Sequence, residues 1–231
     1  MIKLRTAGER GGADHGWLQT RHTFSFAAYY DPQQIGFRSL RVINEDRVFP
    51  GRGFGTHHHD NMEIISCVLS GSLEHRDSMG HGEVLHPGEL QRISAGAGIT
   101  HGEFNPSATE PVHFYQIWIR PNVLDSEPAY QQKAFNREEK RGQLRLVASP
   151  DGRDGSLSIH QDAMMYLSIA DGTVMDHDLR LGRYAWVQVV SGRLIMNEQE
   201  LHAGDGVAIS GENRLLFHGD AGSEFMLFDL A

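Results

Sequence analysis

The chain is a series of short segments in which apolar and polar residues alternate. Clear examples are Leu40–Asn44, Glu63–Leu69, Tyr115–Ile119, Trp186–Val190 and Phe225–Leu230. Alternation with a period of two is typical of strands with one buried face. Glycines separate many of these segments, and the chain has 26 of them in 231 residues. The pattern predicts an all-β protein, built as sandwiches or barrels.

One stretch departs from this alternation. Ala129–Arg141 is polar and provides the best candidate for a helix. Together with its flanks, about residues 125–143, it has the composition of a linker or a short surface helix. We therefore predict two domains, one over residues 1–142 and one over residues 143–231.

The two halves also share a crude repeat. In the first half, a strand pattern from Cys67 meets a Ser-Gly turn at Gly71, and a Pro-Gly-Glu turn follows at 87–89. In the second half, a strand pattern from Val189 meets a Ser-Gly turn at Gly192, and an Ala-Gly-Asp turn follows at 203–205. The repetition predicts two copies of one β fold.

Composition and charge narrow the class of protein. Hydrophobic residues make up 39% and charged residues 22%, as in ordinary globular domains. The net charge of −9, with no basic block, argues against direct binding to nucleic acid or to an anionic membrane. A single cysteine, Cys67, excludes an intramolecular disulfide. No segment has the apolar length of a signal peptide or a membrane helix, so we expect a soluble cytoplasmic protein.

The candidate chemistry lies in the first half, which holds most of the 14 histidines. In the segment Gly51–Glu63, His57 and His59 share one strand face, whereas His58 points away. Glu63 has the same parity if no bulge intervenes, and three roles stay open for it: a metal ligand, a partner to a ligand's ring nitrogen, or a paired structural acid. His75, His81 and His86 lie near predicted turns, where we expect them to be solvated.

A second pair follows about 40 residues later, where His101 and Glu103 share a face. Two strands of one barrel that each offer two inward ligands would supply three imidazoles and one carboxylate. Such a set suits Fe, Ni, Co, Mn, Cu or Zn, and leaves two positions open on an octahedral ion.

These residues carry a family resemblance. Gly51-x5-His57-x-His59-x3-Glu63-x7-Gly71 resembles the first cupin motif, and Gly98-x2-His101-x3-Asn105 resembles the second. More narrowly, the chain is similar to the pirin family, and in particular to its bacterial flavonol-cleaving members. The matching segments include His15-Gly-Trp-Leu, His22-Thr-Phe-Ser-Phe, Phe54-Gly-Thr-His-x-His, Glu74-His-x-Asp-Ser-Met-Gly, Ser94-Ala-Gly-x-Gly-Ile-x-His-x-Glu and Gln116-Ile-Trp-Ile.

The resemblance implies a bicupin, that is, two jelly-roll barrels. The first would hold one divalent transition metal through His57, His59, His101 and Glu103, and the second would be degenerate. Fe(II) is the favoured ion, and Ni, Mn, Co, Cu and Zn are alternatives.

The resemblance further implies a dioxygenase similar to quercetin 2,3-dioxygenase, which opens a flavonol with O2 and releases carbon monoxide. The partners would then be a flavonol and O2, and the catalytic base would be Glu103 in the first place and Glu63 in the second. Candidate pocket residues are Phe24, Phe26, Phe54, Phe104 and Phe114. The alternatives are a metal-bound regulatory or redox-sensing protein that binds a protein partner, and a different cupin reaction.

Overall fold

The structure, a computed structural model, describes all 231 residues and confirms the predicted all-β class. Helical structure is limited to single turns: α1 (Arg137–Lys140) and two 3-10 turns at Ala7–Glu9 and Arg153–Gly155. None of the helices has the length and apolar character that crossing a membrane requires.

The chain divides into two compact units. The N-terminal unit comprises Gly11–Ala134 with Ile159–Gln161, and the C-terminal unit comprises Met1–Arg10, Phe135–Ser158 and Asp162–Ala231. This division differs from the predicted one in three respects: the main break follows residue 134, Ile159–Gln161 belongs to the N-terminal unit, and the first ten residues join the C-terminal unit. They do so because the first strand pairs antiparallel with a strand near the C-terminus, Ile2 lying opposite Ile209.

Eleven strands build the N-terminal unit: β2 (Gly11–Asp14), β3 (Leu18–His22), β4 (Leu40–Val48), β5 (Gly53–His59), β6 (Glu63–Ser70), β7 (Leu73–Asp77), β8 (Gly82–Leu85), β9 (Glu89–Ser94), β10 (Ile99–Phe104), β11 (Val112–Ile119) and β12 (Ala129–Ala134). They form a seven-stranded sheet in the order β12-β9-β6-β11-β4-β3-β2 and a four-stranded sheet in the order β5-β10-β7-β8.

The other eleven strands build the C-terminal unit: β1 (Ile2–Arg5), β13 (Arg145–Ser149), β14 (Leu157–Ser158), β15 (Ala163–Ile169), β16 (Val174–Asp178), β17 (Tyr184–Ser191), β18 (Arg193–Met196), β19 (Gln199–His202), β20 (Gly206–Ser210), β21 (Arg214–Gly219) and β22 (Glu224–Leu230). The sheets are again of seven strands, β1-β20-β17-β22-β15-β13-β14, and of four, β16-β21-β18-β19. The two units therefore repeat one architecture, as the sequence repeat predicts.

The core of each unit lies between its two sheets. In the N-terminal unit, Leu73 and Leu85 of the small sheet pack with Val68 and Phe114 of the large one, and all four are at most 2% exposed. In the C-terminal unit, Phe217 of β21 stacks on Phe225 of β22. Burial of each such side chain contributes about 1.5–3 kcal/mol, so the packed face of each sheet holds the unit together.

The predicted helix over Ala129–Arg141 is wrong for its first half. Ala129–Ala134 is strand β12, which pairs with β9, and Tyr130 packs on the cluster around Ile64 and Ile93. The helical turn α1 begins only after Asn136, whose side chain forms a capping box with Glu139. Pairing with β9 satisfies the main chain and packs the half-buried ring of Tyr130 on the core, which outweighs the local polarity. Ala129–Ala134 is thus part of the large sheet, and a short exposed helical turn follows it.

Candidate metal centre

Three of the predicted ligands converge. Ring nitrogens of His57 and His59 on β5 and of His101 on β10 all lie within 4.8 Å of one another. The two strands pair antiparallel, with His57 directly opposite His101. His58, between them on β5, is exposed and lies 3.8 Å from Asp60, as the alternation of side chains along a strand predicts.

The triad is prepared to donate lone pairs. Nδ1 of His57 donates a hydrogen bond to the carbonyl oxygen of Gly55 at 2.8 Å, which leaves Nε2 bare. Burial, followed by the neighbouring imidazoles, lowers the pKa of His59 to about 4 and that of His101 to about 3. At neutral pH these rings are uncharged, the form that ligates metals.

One atom of the triad indicates an ion directly. Nε2 of His101 is buried and has no hydrogen-bond partner in the protein, and leaving a buried polar atom unsatisfied costs about 1–3 kcal/mol. A cation among the three imidazoles would satisfy it. The residues present therefore fit a transition-metal ion.

Glu103 stands beside the triad and is held by neutral donors. Its carboxylate accepts hydrogen bonds from Nε2 of Gln116 at 2.6 Å, Nε2 of Gln91 at 2.8 Å and Oγ of Ser66 at 3.3 Å. One of its oxygens lies within 4.8 Å of a ring nitrogen of His101. Glu103 is 1% exposed and lines the same cavity as His57 and His59.

Glu63 is not brought to the triad. The parity argument for it assumes one continuous strand, but β5 ends at His59 and β6, which begins at Glu63, belongs to the other sheet. Its carboxylate accepts a hydrogen bond from Oγ of Ser94 at 2.8 Å and lies 3.2 Å from Nδ1 of His160. Burial raises the pKa of Glu63, against the opposing effects of Ser94 and nearby cations. It does not line the cavity.

A cavity of about 470 Å³ opens beside the triad, within the usual range for small-molecule sites, ~300–1,000 Å³. One wall is aromatic. His59 contacts Trp118 edge to face at 4.9 Å between ring centroids, Trp118 contacts Phe26 at 5.4 Å, and Trp17 contacts Phe54 at 5.5 Å.

Of the five phenylalanines predicted to line the pocket, two line the cavity and three do not. Phe26 and Phe54 line the cavity, whereas Phe24 and Phe114 are core residues and Phe104 is 36% exposed. Trp17 and Trp118 were missed. The alternation in Gln116-Ile-Trp-Ile places Trp118 on the face of Gln116, which is a signal that could have identified it.

The polar part of the cavity lining comes from facing residues on β3 and β4. Thr20 lies opposite Asp46, and His22 lies opposite Asn44 with Nδ1 2.9 Å from the amide oxygen. Asp46 is 4% exposed, and its Oδ1 has no partner. Burial raises the pKa of Asp46 to about 7 against a hydrogen bond from Thr20, and the charge of Glu103 adds to this rise.

The expectation that His75 is solvated is wrong. His75 is 0% exposed, and its Nδ1 lies 3.4 Å from Nδ1 of His101. It lies in the middle of β7, opposite Glu103 on β10. The turn that the sequence indicates begins only after Asp77, so alternation along β7 carries His75 into the interior.

Comparison with known proteins agrees with this architecture. Residues 3–119 match the family model described as Pirin, and residues 146–230 match that described as Quercetinase C-terminal cupin domain. A quercetin 2,3-dioxygenase from Escherichia coli K12 is 48% identical over 231 residues, which cover 100% of this chain and 99% of the relative.

Solved structures give the same result. The crystal structure of the bacterial pirin YhhW from Escherichia coli in complex with nickel(II) is 48% identical, with a TM-score of 0.95 and coverage of 100% of this chain and 99% of that one. A quercetin 2,3-dioxygenase structure from Acinetobacter baumannii is 19% identical, covers 99% and 78% of the two chains, and shares the fold with a TM-score of 0.75.

Fold and site together define a protein of two cupin-type domains, which confirms the predicted fold class. Within that class, the chain belongs to the pirin family.

Proposed function

We propose that this chain is a metal-dependent dioxygenase that cleaves flavonols such as quercetin with O2 and releases carbon monoxide. His57, His59, His101 and Glu103 hold one divalent ion in this proposal, and Fe(II) is the favoured one. The observation that carries it is the convergence of three imidazoles, one with an orphaned nitrogen, beside an aromatic-walled cavity. The names of the relatives, and the nickel(II) bound to one of them, support it.

The cavity suits a flat polyphenol. Rings of Trp118, Phe26 and Phe54 offer apolar faces, and His22 and Asn44 offer polar groups to hydroxyls. Aromatic walls of this kind also exclude bulk water, which would strengthen electrostatic interactions with the reacting group.

Glu103 acts as the base in this proposal. Its carboxylate accepts the proton of the flavonol 3-hydroxyl, and Gln116 and Gln91 hold it in place. A bound ion would supply Lewis acidity toward the same hydroxyl oxygen and open positions for reactants. One O2 is consumed and one carbon monoxide leaves for each heterocycle that opens. Glu63, which contacts Ser94 and His160 instead, has no step here.

The test measures O2 uptake, quercetin loss and carbon monoxide release by metal-free protein reloaded separately with Fe(II), Ni(II), Mn(II), Co(II), Cu(II) and Zn(II). We expect one ion to support turnover and His101→Ala to abolish it. His58→Ala is the matched control, since His58 neighbours two proposed ligands but faces away, and it should retain activity. Tight binding of an ion without turnover on any of the six would contradict the proposal and favour a regulatory role.

A further inference from the structure

Behind His101, a row of buried hydrogen bonds runs away from the cavity. Nδ1 of His101 lies 3.4 Å from Nδ1 of His75, and Nε2 of His75 lies 3.0 Å from Oδ2 of Asp77. His101, His75 and the Asp77 side chain are each at most 1% exposed. Tyr130 stacks on His75 at 4.9 Å between ring centroids. Water therefore does not compete for these hydrogen bonds.

The carboxylate of Asp77 is fixed from its other side. Its Oδ1 accepts hydrogen bonds from the backbone N–H groups of Met79, at 2.9 Å, and His81, at 3.1 Å. Burial by itself raises the pKa of Asp77, but the hydrogen bonds from His75 and His81 outweigh it and hold the pKa below its usual range. An ionised carboxylate only accepts hydrogen bonds.

The tautomers follow from this row in order. Because Asp77 only accepts, Nε2 of His75 carries the proton that points at it. The two facing Nδ1 atoms share one hydrogen bond, so in a row with one N–H on each ring Nδ1 of His75 is bare and accepts. Nδ1 of His101 is then the donor, and Nε2 of His101 is bare. That nitrogen is the orphaned atom of the triad.

We propose that Asp77 and His75 are positioning residues that set the tautomer of His101, so that its Nε2 lone pair is presented to the metal. The inference rests on the proposed function only for the presence of an ion at the triad. It assigns a role to two residues that lie outside the cavity and touch no substrate.

Asp77→Asn tests it with almost no change of shape. The loop N–H groups of Met79 and His81 keep the amide oxygen of Asn on their side, so its NH2 group replaces Oδ2 and donates to Nε2 of His75. The row then reverses, and Nε2 of His101 acquires a proton. We expect Ni(II) to bind at least tenfold more weakly, in line with the ~10–100-fold effect of such partners on metal affinity.

His81→Ala is the matched control. Nδ1 of His81 lies 3.0 Å from Oδ2 of Asp77, the oxygen that His75 also contacts. His81 is not part of the row that leads to His101. Its removal should change the Ni(II) affinity less than twofold. An affinity of Asp77→Asn within twofold of wild type would overturn the proposal.

A second readout needs no ion and no activity. Long-range 1H–15N spectra of the metal-free wild type distinguish protonated from bare ring nitrogens. We expect N–H at Nδ1 of His101 and at Nε2 of His75, and the reverse in Asp77→Asn. An Nε2–H tautomer of His101 in the wild type would overturn the inference. Absence of flavonol turnover would contradict only the proposed function, since the tautomers are read in the metal-free protein.

Discussion

At the scale of single residues, burial favours the neutral form of several ionisable groups at the site. His59 and His101 must be neutral to donate lone pairs, and their burial ensures this. Asp46 faces the same cavity, and burial favours its neutral form too. The unligated site therefore keeps few formal charges, which lowers the cost of burying so many polar groups.

Asp46 should make stability depend on pH. Its pKa is about 7 in the folded protein and about 4 when unfolded. Between these values the unfolded chain loses the proton that the folded protein keeps, so the free energy of unfolding falls as pH rises and levels off above pH 7. Between pH 5 and 8 we expect a loss of roughly 2–3 kcal/mol from this group. Urea unfolding of metal-free wild type and Asp46→Asn measures it. Parallel pH profiles for the two proteins would contradict the assignment.

At the scale of elements, β5 is the weak point of the site. It is the edge strand of its sheet and pairs only with β10. The pairing shifts by one residue, because Glu103 lies opposite Phe54 although His101 lies opposite His57. A β-bulge of this kind re-aims side chains next to functional sites. Here the shift means that Glu103 faces Phe54 and not Gly55, the residue that an unbroken register from His57 would place opposite it.

Gly53 permits this close pairing. A Cβ at this position would overlap the carbonyl oxygen of Glu103 and lie 2.6 Å from Cα of Phe104. Gly53→Ala should therefore push β5 away from β10, destabilise the protein by about 1–3 kcal/mol and weaken metal binding. Thermal unfolding and metal titration measure both effects.

Gly55→Ala is the control on the same strand, because a Cβ there meets nothing within 4 Å. It should leave stability and metal affinity close to those of wild type. Equal effects of the two substitutions would show that the close contact of Gly53 with Glu103 and Phe104 does not determine stability or metal affinity.

At the scale of the whole molecule, the chain repeats one architecture but keeps the candidate chemistry in one copy. Both groups of side chains that could hold an ion lie in the N-terminal unit, and they share His101. The C-terminal unit has the matching pair of sheets. In that unit, His177 contacts Asp229 at 2.8 Å, and Asp229 also pairs with Arg183.

The first strand belongs to the C-terminal unit, which gives a prediction about truncation. Ile2 and Leu4 of β1 pack on the apolar core of that unit, and the backbone N–H of Ala7 donates to Asp205 at 2.7 Å. Deletion of residues 2–10 should lower the melting temperature by several degrees, because it exposes the edge of β20 and part of the core. Metal affinity should change little, since the candidate ligands lie in the other unit. A large loss of metal affinity with an unchanged melting temperature would contradict this.

The sequence by itself determined what depends on neighbouring residues. Alternation gave the strands, and spacing placed His57 with His59 and turned His58 outward. The repeated Ser-Gly turns are also local: Gly71 and Gly192 both adopt a φ of 75°, which glycine accepts without strain. A residue's face on a strand needs no knowledge of the partner strand.

Tertiary structure decided whatever depends on which strands pair. The pairing of β5 with β10 brings His101 to the other two histidines, and the change of sheet after His59 removes Glu63 from them. Pairing with β9 turns the polar segment Ala129–Ala134 into a strand. Burial of His75 behind His101 likewise follows from β7 lying beside β10. These contacts join residues far apart in the chain, and their free energy comes from surfaces that exist only once both sheets have formed.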